Sequence, residues 1–376
     1  MTERFDYFLL MLWVMALLLG LVMVTSAVLP HSESASTLFG SATSYPKIYK
    51  HTVYLMLGVL AFLVALGVPI RTWMFFHKAA LLLALVICVL VLIPGLGQVI
   101  NGSRRWIGVG PITLQAAELT KFLAIVYLAG YIARSREHIK TELLGILRPV
   151  AIIGVVCVLL LFEPDFGTVV VLSLVTGGLL FLAGARLRYF LLLGGGATLA
   201  LGFIAVVQPY RLERLTSFLD PWSVKNDSGY QLAQSLIAFG RGDVFGLGLG
   251  EGVQKLFYLP YAYNDFIFAV ISEELGMTGG IAVLLLLTLL VLRIMRIARH
   301  AKDSQQIFAA FLAYGIGILI GVQAFVNIGV SIGMLPTKGL TLPFISFGGN
   351  SLLMSCLMMG IVFRVQIESS KEVRVG

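Results

Sequence analysis

Long apolar runs recur along the whole chain, at about 8–29, 51–68, 79–94, 113–133, 144–162, 166–183, 187–207, 266–292, 307–333 and 343–363. This feature restricts the fold more than any other, because each run is long enough to cross a bilayer core of roughly 30 Å as a helix. The supply of charge agrees. Only 12% of the 376 residues are charged and 59% are hydrophobic, whereas a soluble chain carries roughly 25% charged residues. A soluble fold of this length would have no polar surface to show to water. The expected fold is all-α: one polytopic integral membrane domain of about ten transmembrane helices.

Ten crossings place both termini on one side, and the cations say which. With the N-terminus inside, the inner segments hold 16 of the 27 Lys and Arg residues and the short outer loops hold five. Positive charge marks the cytoplasmic side, so both termini are expected there, as short tails over 1–7 and 364–376. The net charge of +8 does not point to nucleic acid, because the basic residues sit at the ends of apolar runs rather than in one patch. The first run is too long for a signal-peptide core and reads as a retained helix. Cys88, Cys157 and Cys356 all lie within apolar runs at no readable spacing, which suits packing rather than a disulfide or a metal site.

Charges inside such runs are costly and mark polar interiors or cavities. Glu118 and Lys121 fall in the fourth run, three apart and therefore on one helix face. They fit a structural ion pair, or a cation waiting for an anionic ligand from the outer side. Arg104, Arg105 and Trp106 precede them in an outer loop. Guanidinium forks suit phosphate, while an interfacial anchor with Trp at headgroup depth is the plainer role. In the short outer turn 163–168, Asp165 is placed to cap the next helix; Glu163 is less easily explained that way.

The one long hydrophilic stretch, 208–265, falls outside the cytoplasm. Its glycine run 246–252 lacks the strand–turn–helix setting of a nucleotide fingerprint and suits a tightly turned or flexible loop over a site. The stretch ends at Asp265, the last polar residue before the eighth run. Asp265 fits a helix N-cap or a general base at the membrane boundary. Glu273 and Glu274 lie two turns further on and should line a polar interior. No Ser-His-Asp set, His-rich metal motif or phosphate loop is visible, and the five histidines make no cluster.

The C-terminal stretch holds Asn327, then Gly333-Met334-Leu335-Pro336-Thr337-Lys338-Gly339-Leu340, then Leu342-Pro343-Phe344-Ile345-Ser346-Phe347-Gly348-Gly349-Asn350-Ser351. It closely resembles the signature of the FtsW/RodA/SpoVE family. The 163–168 turn, the Glu118/Lys121 helix and the Asp265 segment fall where that family has them, so the resemblance covers essentially the whole chain. The stretches 229–232 and 237–242 look more like the division members of the family than the elongation members.

The resemblance implies a peptidoglycan glycosyltransferase that polymerises lipid II during septal wall synthesis in the bacterial inner membrane. It implies that Asp265 deprotonates the acceptor hydroxyl and that undecaprenyl pyrophosphate leaves. Lys121, Glu118, Arg104, Arg105, Trp106, Glu163, Asp165, Arg211, Ser346, Gly348 and Gly349 are then the substrate-binding candidates. No motif for a cofactor or a metal is recognisable; a divalent cation, Mg or Mn, would accompany the lipid pyrophosphate. The implied partners are a class B penicillin-binding protein, other division-complex membrane proteins and the lipid bilayer. The chain departs from the family at Tyr261 and Tyr263, where Glu and His are usual, and at Ala116-Ala117, where Pro-Ser is usual. The first departure points to altered packing of the Asp265 loop, or to a weaker or specialised enzyme. A lipid II flippase, or a division scaffold with lapsed catalysis, are the alternative readings.

Overall fold

A computed structural model describes residues 5–29, 45–100, 103–109, 112–207, 217–225, 227, 229–336 and 339–372. Helices lie over all ten apolar runs. In chain order they are α1 (Tyr7–Val28), α2 (Tyr45–Gly67), a short α3 (Ile70–Phe75), α4 (His77–Leu92), α5 (Ala116–Thr141), α6 (Leu143–Phe162), α7 (Phe166–Ala183) and α8 (Leu187–Val207). After the long loop, which contains α9 (Tyr230–Gly242), come α10 (Ile267–Asp303), α11 (Ile307–Ser331) and α12 (Gly349–Glu372). Among the described residues, eight helices are long and apolar enough to cross a membrane, and the 16-residue α4 is a shorter apolar one.

One expectation needs correction. The segment before α5 is not helical. It forms a three-stranded antiparallel sheet of β1 (Gly97–Ile100), β2 (Ser103–Val109) and β3 (Ile112–Gln115). The β-rich run Ile112-Thr113-Leu114 therefore pairs before the helix begins at Ala116, and helical periodicity could not reveal a strand of four residues. α12 continues through the described part of the C-terminal tail to Glu372, with Arg364 paired to Glu368 one turn on (2.6 Å).

The bundle is arranged by exposure. α5 and α11 are its most enclosed spans, whereas α2, α6 and α10 leave most of their surface outward. The outward residues are large and apolar: Val155, Val158 and Phe162 on α6, and Leu284, Leu285 and Leu289 on α10. Such a surface fails in water and suits lipid. Inside, small residues let helices approach closely, as membrane packing demands. A Cβ on Gly58 of α2 would lie 3.0 Å from Cys356 Sγ of α12, and one on Gly20 of α1 would lie 2.6 Å from the Phe344 carbonyl.

The polar loop is tied into the bundle through a break in α10. Gly276 has φ +69° and ψ −168°, a conformation open only to glycine without strain. Backbone amides of Leu247 and Gly248 donate to the carbonyls of Glu273 and Glu274, and those of Met277 and Thr278 donate to Asp243 and Val244. The side chains complete the join. Glu273, fully buried, accepts from Arg241 Nε (3.2 Å) and from the amides of Val253 and Gln254. Glu274, also fully buried, accepts from Lys255 Nζ (2.5 Å), Ser26 Oγ and the amide of Gly250. The expected polar interior around these two carboxylates is therefore the loop itself. Its glycine run is the tightly turned kind, with Gly246, Gly248 and Gly250 all at positive φ.

Lys255→Met leaves Glu274 buried without its cation, which should cost on the order of 3–5 kcal/mol. Thermal unfolding in detergent should show a large drop for Lys255→Met and a partial recovery when Glu274→Gln is added. A single variant as stable as the parent would exclude the pair as an anchor of the loop.

Candidate functional site

Asp265 lies at the end of the loop, half-buried, just before α10. It is not the cap of that helix. The N-cap is Phe266, with no side-chain cap bond, so the plainer sequence reading of Asp265 does not hold. The backbone at Asp265 is set by a turn and two clamps. Tyr261, at φ +57°, turns the chain so that its carbonyl accepts from the amides of Asn264 and Asp265. The Asn327 amide of α11 donates to the Asp265 carbonyl (2.8 Å) and to the Leu340 carbonyl (2.6 Å). Ser346 Oγ donates to the Asn264 carbonyl (2.6 Å) and accepts from the Leu342 amide (2.7 Å), while the Phe347 amide donates to Tyr263. The family-signature loop 339–348 and the Asp265 loop are thus stitched together.

The Asp265 carboxylate then lies over Gly339, where a Cβ would come 3.0 Å from Oδ2. Phe257, Tyr261 and Phe344 all hold positive φ, which costs roughly 1–2 kcal/mol for each ordinary residue. Strain of this kind gathers at functional sites because the surroundings must enforce it. Tyr263, one of the two departures from the family pattern, packs edge-on to Phe347 (ring centroids 5.6 Å) and receives Lys47 Nζ at its hydroxyl (3.4 Å).

The 163–168 turn flanks the same signature loop, since Gly167 faces both Leu340 and Asp165. Asp165 caps α7 through the Thr168 amide (3.3 Å) and hydroxyl (2.8 Å), as its spacing predicts. Glu163 is different. Its side chain is fully buried, and neither carboxylate oxygen meets a donor among the described residues. Burial first, then the neighbouring Asp165, pushes its pKa up to about 8. It therefore holds a proton near neutrality that an exposed carboxylate would have lost.

Arg104 and Arg105 are directed to different partners. Arg104 donates to the Leu92 carbonyl (3.1 Å), while Arg105, the extra residue at a bulge in the β1–β2 pairing, donates to the Glu163 and Pro164 carbonyls (3.2 and 2.5 Å). Trp106 lies between Gln98 and Gln115 in the sheet. Glu118 and Lys121 form a buried ion pair of 2.9 Å, and Lys121 is 1% exposed. Ser346 is buried in the clamp, Gly348 packs on Thr341, and Gly349 lies against the Tyr54 ring. Arg211 lies outside the described residues. The residue whose clamp role sequence reasoning missed is Asn327. An amide in an apolar run is its signal, and Gln323 and Ser331, four residues to either side, put a polar stripe on the same face of α11.

The fold and site define a polytopic helical membrane protein whose strained, carboxylate-bearing loop is clamped at one end of the bundle. The chain belongs to the FtsW/RodA/SpoVE family, described as cell cycle proteins, whose profile matches residues 7–371. It is similar to a protein of Saccharophagus degradans named probable peptidoglycan glycosyltransferase FtsW, 44% identical over 374 residues, covering 100% of this chain and 95% of that one. A Coxiella burnetii protein of the same name is 48% identical over 355 residues, 94% of each chain. Among solved structures, a chain of a peptidoglycan synthase complex matches with a TM-score of 0.79 and 26% identity, covering 97% of this chain and 98% of that one. The Thermus thermophilus rod shape determining protein RodA matches at 0.67 and 25%, covering 96% and 97%.

The raised pKa of Glu163 has a signed consequence. The folded protein binds this proton more tightly than the unfolded chain, so the contribution is full below about 4.5 and is lost as pH rises towards about 8. Glu163→Gln should match the parent in thermal stability at pH 5 and exceed it at pH 8.5. Equal pH profiles for the two would mean that Glu163 is ionised in the fold.

Proposed function

We propose that this protein is a peptidoglycan glycosyltransferase of the division branch of its family, polymerising lipid II with Asp265 as general base. The observation that carries the residue assignment is the clamped geometry of Asp265. Its carboxylate is not the N-cap of α10, its backbone is fixed by Asn327, and it lies against Gly339, where a Cβ would come 3.0 Å from Oδ2. A carboxylate so placed takes the proton from the acceptor sugar 4-hydroxyl. The hydroxyl oxygen forms the new bond to the donor anomeric carbon, and undecaprenyl pyrophosphate departs with the electrons of the broken bond. Preorganised cations stabilise charge developing on such a leaving group. Lys121 is the candidate for this work, on exchanging part of its contact with Glu118 for phosphate. Arg105 supports the 163–164 turn beside the site.

No group of three or more His, Cys, Asp or Glu side chains gathers to hold a metal among the described residues. Any divalent cation in the reaction is proposed to be held by the pyrophosphate oxygens of the lipid, as Mg2+ commonly is. In this reading the helices make ten crossings of the bacterial inner membrane at the septum, with both termini cytoplasmic and the Asp265 loop outside. The partners are a class B penicillin-binding protein and other division-complex membrane proteins.

Asp265→Asn keeps size and removes the base. With fluorescent lipid II and the cognate class B partner, the parent should give glycan ladders and the variant about 10²–10⁴-fold less product. Equal ladders from two equally folded proteins would remove Asp265 from the role. Asn327→Ala, which touches only the backbone of the loop, should lower the rate while keeping the parent's pH profile.

A further inference from the structure

The far end of α10 carries a second built feature, which the reaction does not use. Beyond the break at Gly276, α10 runs on to Asp303. Arg293 and Arg296 lie about 25–30 Å along it from the break, at 1.5 Å per residue, which is one hydrocarbon thickness away. The two guanidinium groups are three residues apart and share a face with Leu289 and Leu292. With Phe8 of α1 they line an open cleft of about 210 Å³. Leu285, Leu289, Leu292, Phe8 and Met11 around it are exposed, so its floor continues into the lipid-facing surface.

The cations in the cleft are only partly satisfied. The Arg293 guanidinium lies over the Phe8 ring, 4.9 Å from its centroid, and reaches Asp6 Oδ1 at 3.6 Å. That same Asp6 oxygen accepts from the Leu9 amide to cap α1. Arg293 Nε is buried with no acceptor among the described residues. Arg296 is exposed, with no carboxylate within ion-pair reach among them. Asp6 thus meets Arg293 alone, and among the described residues the two guanidinium groups of the cleft meet no second carboxylate. Arg299, one turn on along α10, is also exposed, but of the described cations Arg293 and Arg296 are the two that line this cleft. This pair sits over leucines, at the depth where phosphates begin.

We propose that this cleft between α1 and α10 binds the phosphate of an anionic phospholipid in the leaflet opposite the Asp265 loop. The guanidinium forks hold the phosphate oxygens, and an acyl chain lies along Leu289 and Leu292. Zwitterionic lipid carries a compensating ammonium and is held less well.

The test uses the full-length protein in detergent, with dioleoyl-phosphatidylglycerol, dioleoyl-phosphatidylcholine or inorganic phosphate added, read by native mass spectrometry and thermal shift. Parent and Arg186→Gln, a cation of the same face that donates to the Lys140 carbonyl, should retain phosphatidylglycerol equally. Arg296→Gln, an exposed position that leaves the fold intact, should retain about five-fold less, and Arg293→Gln/Arg296→Gln less again. Phosphatidylglycerol should raise the melting temperature of the parent more than phosphatidylcholine does. Equal retention by Arg296→Gln and parent, or equal effects of the two lipids, would overturn the proposal. A melting shift from inorganic phosphate as large as that from phosphatidylglycerol would overturn the lipid and leave a free-anion site.

Discussion

Two carboxylates in a membrane helix, Glu273 and Glu274, hold the outer architecture together. A buried charge is tolerable only when it is paired and hydrogen-bonded, and here the pairing comes from the loop: Arg241, Lys255 and the amides of Gly250, Val253 and Gln254. The requirement works in both directions. The helix needs the loop to neutralise its carboxylates, and the loop needs the helix to fix a glycine-rich backbone with little core of its own. The break at Gly276 makes the exchange possible, because it frees backbone groups at 273–278 to pair with 243–248.

From that anchor the chain runs directly to Asp265. Little freedom remains by then. Tyr261 reverses the chain, Asn327 holds the Asp265 carbonyl from α11, and Ser346 holds the preceding carbonyl from the signature loop. Gly20 of α1 backs that loop against Phe344 and Ile345. Four separate parts of the sequence therefore set the backbone that carries one carboxylate. Preorganisation of this kind is what general-base chemistry requires, and the positive φ values nearby show a backbone held by its surroundings rather than by local preference.

Much of this was legible in the sequence. Helices appear over all ten apolar runs because a long apolar stretch has few other options in lipid. Asp165 caps α7 as its spacing predicts, since an N-cap is a contact across three residues. Glu118 and Lys121 meet because three residues bring side chains together on a helix. The readings that failed were longer-ranged or too short to show a period. The sheet at 97–115 hid in strands of four to seven residues, and with it the different partners of Arg104 and Arg105. Asp265 read equally well as a cap because nothing local says where α10 begins.

The sequence by itself determined the class of fold, the helix positions and the local pairs, because apolar length and spacings of three or four residues act within one helix. Only the tertiary structure decided which groups serve the site. That Glu274 meets Lys255 and Ser26, that Asn327 holds Asp265 and that Ser346 is a clamp are contacts across 19 to 248 residues. The physical reason is the same in each case. A buried polar group must find a partner wherever packing places one, and packing is a property of the whole bundle.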